Sequence, residues 1–130
     1  MKKTILVVDD NSVMRRILET TLRKEYLVIQ ADNAVDAQKM IDIHLPDAVI
    51  LDILMPGPIN GLELCSSIKS TPRFASTFVI LATSSWEIIS DNCGKNHADA
   101  FFIKPFKTID ILEKLHLGLR NGRSTQIINQ

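Results

Sequence analysis

Acidic and basic side chains follow three short apolar runs of this sequence. Asp9 and Asp10 come directly after the run TILVV, and Asp52 ends the run AVILD. Lys104 follows the run DAFFI. Such runs predict strands that are buried on both faces of a parallel sheet. Since the carboxyl ends of parallel strands share one edge, where open α/β folds bind their ligands, we expect the three acids and the lysine to meet there.

The chemistry that this set of side chains favours is phosphoryl transfer to a carboxylate. Crowded carboxylates repel one another, and a bound divalent cation relieves that repulsion. Oxygen ligands alone favour Mg²⁺, and Lys104 would neutralise a phosphoryl oxygen. Asp52, already ionised at neutral pH, would then be the nucleophile without a general base. The fourth apolar run adds hydroxyl donors at Thr83, Ser84 and Ser85. Any one of these residues alone is weak evidence, and the interpretation depends on the combination.

Composition limits the other classes of function. The chain has 130 residues, 45% of them hydrophobic and 23% charged, which is typical of one globular domain. Lys plus Arg and Asp plus Glu number 15 each, so the net charge gives no reason to expect a nucleic-acid or membrane surface. Cys65 and Cys93 lack metal-site spacing and favour a reducing, cytoplasmic location. The first apolar run is too short for a signal peptide or a membrane span.

Strand and helix patterns alternate along the chain. Strands are predicted at 4–8, 26–31, the run ending at Asp52, 77–83 and 99–103, and helices at 12–22, 34–44, 62–70, 86–96 and 108–119. This order predicts a doubly wound, flavodoxin-like α/β fold with five helices and a five-stranded parallel sheet of order 2-1-3-4-5. Its switch point lies between the first and third strands, which carry the acids. We expect one domain over residues 1–120 and a frayed, flexible tail at 121–130.

Two local features of the first two helices are also predicted. Ser12 is a candidate N-cap for the first helix. Helical spacing also predicts the faces that turn toward the core. In the first helix these are Val13, Met14, Ile17, Leu18, Thr21 and Leu22, and in the second Val35, Ala37, Met40 and Ile41.

Three motifs of this sequence resemble those of one known family. The stretches VVDDNS, DILMP and FIKPF, with Met14-Arg15-Arg16 after the first and GLEL after the second, are similar to the motifs of receiver domains of two-component response regulators. The likeness is greatest to the single-domain chemotaxis type and covers the chain from Lys3 to about Leu119.

The resemblance implies a role for each residue that matches a family position. Asp52 matches the aspartate that accepts the phosphoryl group and also contacts Mg²⁺. Asp10 matches the direct Mg²⁺ ligand, Asp9 the acid that acts through a water, and the backbone carbonyl of Leu54 a further ligand. Lys104 matches the lysine that pairs with the phosphoryl group.

Further implied features concern the fifth strand and the loop that follows it. Phe101 matches the aromatic switch residue, and the bond before Pro105 matches one that is usually cis in the family. The hydroxyl position is ambiguous, because counting back from Lys104 without a gap gives Ala82, whereas ending the fourth strand one residue later gives Thr83. We choose Thr83, because the site needs a hydroxyl. The loop after DILMP is also one residue longer than the usual pattern.

The function that these features imply is a phosphorylatable switch and not a turnover enzyme. The resemblance implies a histidine kinase or histidine phosphotransfer protein as donor, and an output partner on the face of the fourth helix, fifth strand and fifth helix. The chain is either a stand-alone receiver or a piece of a larger regulator or hybrid kinase. A haloacid dehalogenase-type phosphatase is a weaker alternative, since it needs Asp-x-Asp where this chain has Asp9-Asp10-Asn11. A flavin carrier is weaker too, because Asp9 and Asp10 would repel its phosphate.

Overall fold

A computed structural model describes residues 2–92 and 97–120 of the chain. Strands and helices alternate, in the order β1 (Thr4–Val8), α1 (Ser12–Leu22), β2 (Leu27–Ala31), α2 (Ala34–His44), β3 (Ala48–Asp52), α3 (Gly61–Ser70), β4 (Phe78–Thr83), α4 (Trp86–Asn92), β5 (Ala100–Ile103) and α5 (Thr108–Leu119). All neighbouring strands are parallel, in the order β2-β1-β3-β4-β5. The predicted fold class and strand order are confirmed.

The sheet is the centre of the core, with helices on both of its faces. Every residue of β3 and β4 is buried, as expected for the inner strands of a parallel sheet. One cluster of buried side chains includes Leu51, Leu64 and Ile68, and the second includes Ile50, Leu18 and Ile111. Because Ile50 and Leu51 are consecutive on β3, their side chains point to opposite faces of the sheet. The two clusters are therefore the two layers of core that fix where the strands end.

The ends of several elements differ by one residue from the prediction. β2, β4 and β5 each begin one residue later than predicted, and α3 begins one residue earlier, at Gly61. A 3₁₀ turn at Pro72–Phe74, which the sequence analysis did not predict, connects α3 toward β4. The predicted last turn of the fourth helix falls partly on residues 93–96, and the predicted tail on residues 121–130. Both segments lie outside the described residues.

Asparagine side chains cap three of the helices. Asn11, and not Ser12, is the N-cap of α1, and its side-chain oxygen accepts hydrogen bonds from the amides of Val13 and Met14. The prediction of Ser12 was wrong because Asn11 is the residue that keeps extended backbone geometry, while Ser12 is already helical. Asn33 caps α2 by accepting from the amide of Asp36, and Asn60 caps α3 by accepting from the amide of Glu63.

Three apolar side chains that were predicted to face the core lie at the surface. Val13 is 61% exposed, Ile17 is 45% exposed and Val35 is 39% exposed. Leu18 and Leu22 of the same predicted face are buried in the core, as expected. The predicted apolar stripe of α1 was therefore correct in its period but too wide on the side of Val13 and Ile17.

An ion pair lies at the edge of the sheet where the strands begin, opposite the edge that carries the acids. Nζ of Lys69 on α3 lies 2.6 Å from Oδ2 of Asp99 and donates to the carbonyl oxygen of Thr77 at 2.6 Å. The same Asp99 oxygen accepts a hydrogen bond from the amide of Val79 at 2.8 Å. These contacts tie α3 to the beginnings of β4 and β5. No helix among the described residues is both long and apolar enough to cross a membrane.

Candidate functional site

Three carboxylates meet at the carboxyl edge of the sheet. β1 and β3 are adjacent and in register, with Val8 opposite Leu51, so the acids that follow these residues come together. One oxygen each of Asp9, Asp10 and Asp52 lies within 4.8 Å of the others. Asp9 is 3% exposed and Asp52 is 7% exposed, whereas Asp10 is open to solvent. This cluster was predicted from the positions of the acids after β1 and at the end of β3.

Lys104 joins the cluster from the end of β5. Its ammonium nitrogen lies 2.7 Å from Oδ2 of Asp9 and 3.5 Å from Oδ1 of Asp52. Its backbone amide donates to the carbonyl oxygen of Thr83 at 2.8 Å, which fastens the end of β5 to the end of β4. The lysine is therefore held at the site both by its main chain and by its charge.

Asp9 and Asp10 differ in how their side chains are held. Oδ1 of Asp9 accepts a hydrogen bond from the amide of Asn11 at 2.9 Å, and its other oxygen accepts from Lys104. Within residues 2–92 and 97–120, the Asp10 carboxylate accepts no hydrogen bond and forms no ion pair. Asp10 is thus the carboxylate of the cluster whose oxygens are available to a ligand.

Burial sets the protonation behaviour of Asp52. The pKa of Asp52 is raised to about 6, mainly by burial and further by the charges of Asp9 and Asp10, while Lys104 opposes the rise. Burial also tends to lower the pKa of Lys104. The hydrogen bond to Asp9 and the charge of Asp52 outweigh that tendency, so the pKa of Lys104 is raised. Near pH 7 the site therefore holds a charged lysine beside a largely ionised Asp52.

The donor set fits a hard divalent cation. All three side chains supply carboxylate oxygens, which Ca²⁺ and Mg²⁺ prefer over nitrogen and sulfur ligands. A cation there would offset the repulsion that raises the pKa of Asp52. Leu54 follows the cluster by two residues with a half-exposed side chain, and its backbone carbonyl stays a predicted ligand.

The two candidates for the hydroxyl position lie side by side at the end of β4. Ala82 is paired directly with Asp52 across the sheet, and Thr83 is the last residue of the strand. Thr83 is buried, and its Oγ1 accepts a hydrogen bond from the amide of Ser85 at 3.2 Å. The choice of Thr83 as the hydroxyl position, and a contact of its hydroxyl with a phosphoryl group, remain predictions.

Two features implied for the region around Lys104 are visible. The peptide bond between Lys104 and Pro105 is cis, as expected. Phe101 is opposite Leu81 on β4 and is half-buried against the core cluster that contains Leu51. Its role as a switch residue remains a prediction.

Two residues at the site were given no role from the sequence. Gly61 lies so close to β3 that a β-carbon on it would overlap the carbonyl oxygen of Asp52 and lie 2.8 Å from Cα of Ile53. Arg15 donates from Nη1 to the carbonyl oxygen of Asp9 at 2.7 Å. The available signals were the glycine in the GLEL motif and an arginine one helical turn after the acidic pair.

The fold and the site together define the class of protein. A doubly wound parallel sheet with an acidic cluster and a lysine at its carboxyl edge is the arrangement expected of a receiver domain. The model of the response regulator receiver domain family matches residues 5–116, and the chain belongs to this family. It is a two-component signalling domain, a phosphorylatable switch rather than a turnover enzyme. The phosphatase and flavin-carrier alternatives are thereby set aside.

Three similar proteins are consistent with membership of this family. Histidine kinase P4 of Formosa agariphila is 35% identical over 106 residues, which are 81% of this chain and 8% of that protein, so the chain spans a small part of that relative. The signal receiver domain of a signal transduction histidine kinase from Syntrophus aciditrophicus is 27% identical, with a TM-score of 0.84 and coverage of 98% of both chains. The BeF3-activated receiver domain of DrrB, a Thermotoga maritima protein, is 27% identical, with a TM-score of 0.81 and coverage of 92% of this chain and 98% of that one.

Proposed function

We propose that Asp52 accepts a phosphoryl group from a phosphohistidine of a histidine kinase or histidine phosphotransfer protein, in the presence of Mg²⁺. The observation that carries this proposal is the position of Asp52, which is buried beside Asp9 and 3.5 Å from Nζ of Lys104. A buried carboxylate with a cation on one side and acidic neighbours on the other is poised for charge-changing chemistry.

The chain's own residues would act in a simple sequence. A carboxylate oxygen of Asp52 attacks phosphorus, the new O–P bond forms as the donor's N–P bond breaks, and the departing imidazole nitrogen keeps the bonding electron pair. Lys104 offsets charge on a phosphoryl oxygen, and the hydroxyl of Thr83 donates to another. Asp9, Asp10, Asp52 and the backbone carbonyl of Leu54 would hold Mg²⁺, which would supply positive charge for the phosphoryl oxygens.

A change of partner-binding surface is the output that we propose. Phosphorylation would shift the population toward a state in which Phe101 turns inward and the face of α4, β5 and α5 is reshaped. Large apolar side chains are exposed on all three elements, at Trp86, Ile103 and Ile109. Such side chains suit binding to another protein, and no nucleic acid or membrane partner is proposed.

The proposal also covers where the domain acts and whether it is part of a longer protein. The chain acts in the cytoplasm, either alone, as a chemotaxis-type regulator does, or as the receiver segment of a longer regulator or hybrid kinase. The identity of 35% to a histidine kinase of which it matches 8% supports the second arrangement. The neighbouring genes and the full-length parent chain would distinguish the two.

Phosphorylation by a small donor tests the central claim. The protein is incubated with acetyl phosphate and Mg²⁺, and its intact mass is measured. We expect one labile phosphoryl group on the wild type and on Asp110→Asn, a control at an exposed acid of α5, and none on Asp52→Asn or after addition of EDTA. Equal labelling of Asp52→Asn would refute the role of Asp52.

A further inference from the structure

Arg15 connects the acidic site to the edge strand of the sheet. On one side, Nη1 donates to the backbone carbonyl of Asp9 at 2.7 Å. On the other side, Nε donates to the side-chain oxygen of Gln30 on β2 at 3.2 Å. The guanidinium group is planar, with donors fixed in a fork, so it makes both contacts from one orientation.

The carbonyl that Arg15 contacts belongs to the peptide between Asp9 and Asp10, the two acids that follow β1. A peptide unit is planar, so holding the carbonyl oxygen of Asp9 also fixes the orientation of the amide and Cα of Asp10. The Asp10 side chain makes no hydrogen bond within residues 2–92 and 97–120. Its direction therefore depends on the backbone that carries it.

The remaining contacts of Asp9 explain why this peptide needs a further support. The amide of Asp9 donates to Ala31 of β2 at a rather long 3.2 Å, and its carboxylate is occupied by Asn11 and Lys104. β1 ends at Val8, and this amide contact to Ala31 is a bond from the sheet to the Asp9 nitrogen and not to its carbonyl oxygen. Arg15 supplies a contact to the Asp9 carbonyl that the sheet does not.

We propose that Arg15 is a positioning residue for the divalent cation site, acting through the Asp9–Asp10 peptide and anchored by Gln30. The inference depends on the cation binding of the proposed function, and Arg15 itself contacts no ligand oxygen of Asp10 or Asp52. Groups that orient metal ligands affect affinity although they do not touch the metal. The arginine thereby makes the direction of Asp10 dependent on the α1 helix and on β2.

The test compares Arg15→Met, Arg15→Lys and the matched control Arg16→Met. Arg16 is the neighbouring exposed arginine of α1. Calorimetric titration with Mg²⁺ should show affinity weakened roughly tenfold in Arg15→Met, the lower end of what loss of a ligand-orienting group costs. Arg15→Lys, which keeps the charge and one donor, should lie between this variant and the wild type. Arg16→Met should match the wild type.

A second readout needs no metal. Hydrogen exchange of the Asn11 amide, which donates to Oδ1 of Asp9, is followed in EDTA. We expect faster exchange in Arg15→Met than in Arg16→Met, because the Asp9–Asp10 peptide loses a support. Unchanged Mg²⁺ affinity or unchanged Asn11 exchange in Arg15→Met would overturn the inference.

A loss of fold in the arginine variant would not end the test. Should Arg15→Met unfold at a lower temperature than Arg16→Met, Gln30→Leu takes its place, since this change removes only the anchor on exposed β2. Wild-type Mg²⁺ affinity in Gln30→Leu would then overturn the inference, and a weakened affinity would support it. Failure of Asp52 to take up phosphate would refute the proposed function without altering these Mg²⁺ and exchange measurements.

Discussion

The ammonium nitrogen of Lys104 lies 2.7 Å from a carboxylate oxygen of Asp9. It is closer to this acid than to Asp52, which is 3.5 Å away. The lysine that we expect to pair with the phosphoryl group thus forms its shortest contact with a proposed metal ligand. Its charge nevertheless acts on both acids, since it opposes the rise in the pKa of Asp52.

Replacement of Lys104 by Met should raise the pKa of Asp52 above its value of about 6, because the one group that favours the ionised form is removed. The carboxyl carbon of Asp52 is followed by NMR as a function of pH in metal-free protein. Lys107→Met, at an exposed lysine of the same loop, is the control and should leave the titration unchanged. A titration of Asp52 that is the same in both variants would contradict the assignment.

Asp52→Asn should stabilise the metal-free protein at pH 7.5. The pKa of Asp52 is raised from 3.8 to about 6 in the folded state, so ionisation costs stability and the wild type becomes less stable as the pH rises from about 4 to 6. The gain from Asn should be roughly 1 to 3 kcal/mol at pH 7.5 and should nearly vanish at about pH 3, where Asp52 is largely protonated in both states. Urea unfolding in EDTA at both pH values measures it. A gain that is equal at the two pH values would show that the acid's charge is not the cause.

Gly61→Ala should destabilise the protein by about 2 kcal/mol, because the added β-carbon overlaps the main chain at Asp52 and overpacked sites cost that much. At an exposed helical position the same change would instead stabilise, through lower entropy of the unfolded chain. Urea unfolding measures the loss, with Ser66→Ala on the exposed face of α3 as control. A stable Gly61→Ala protein with normal phosphorylation would show that β3 and α3 separate easily.

Asn11→Ala should lower the free energy of unfolding by about 1 kcal/mol, the usual effect of removing an N-cap. Ser12→Ala should change it little, since the Ser12 side chain caps no amide of α1. Urea unfolding of the two single variants distinguishes the caps. A larger loss in Ser12→Ala than in Asn11→Ala would reverse the assignment.

Cys65 should resist alkylation in the folded protein. Burial raises the pKa of its thiol to about 12, so almost no thiolate is present at pH 8. In a Cys93→Ser background, which leaves one thiol, mass spectrometry should show slow labelling by iodoacetamide that becomes fast in urea. Rapid labelling without urea would mean that α3 opens readily from the sheet.

Much of the fold could be predicted because its strands are continuous apolar runs. Runs such as TILVV and AVILD are long enough to fix the strands, and their alternation with helical spacing fixes the topology. Helix faces were harder, as Val13 and Ile17 show, because spacing gives the period of a stripe but not which apolar residue at its border is covered. Ser12 and Asn11 are both good caps, and only backbone geometry distinguishes them.

The acids and the lysine of the site could be predicted because each one ends or follows a strand. Arg15 could not, since its role depends on the carbonyl direction of Asp9 and on the partner Gln30 from another strand. Gly61 was quoted as part of a motif, yet its close approach to Asp52 depends on how α3 packs. Contacts between the main chain of one element and the side chain of another leave little trace in a single sequence.

The backbone just after Asp52 is fastened from two directions. The amide of Ile53 donates to Ala82 at 2.9 Å, and its carbonyl accepts from Gly61 at 2.9 Å. A modified Asp52 side chain would therefore extend from a backbone that hydrogen bonds hold in place. Its effect on distant surfaces must then be transmitted by the side chains that surround it. Substitution of those surrounding side chains could then change which proteins respond to the modification, while the backbone at Asp52 keeps its structure.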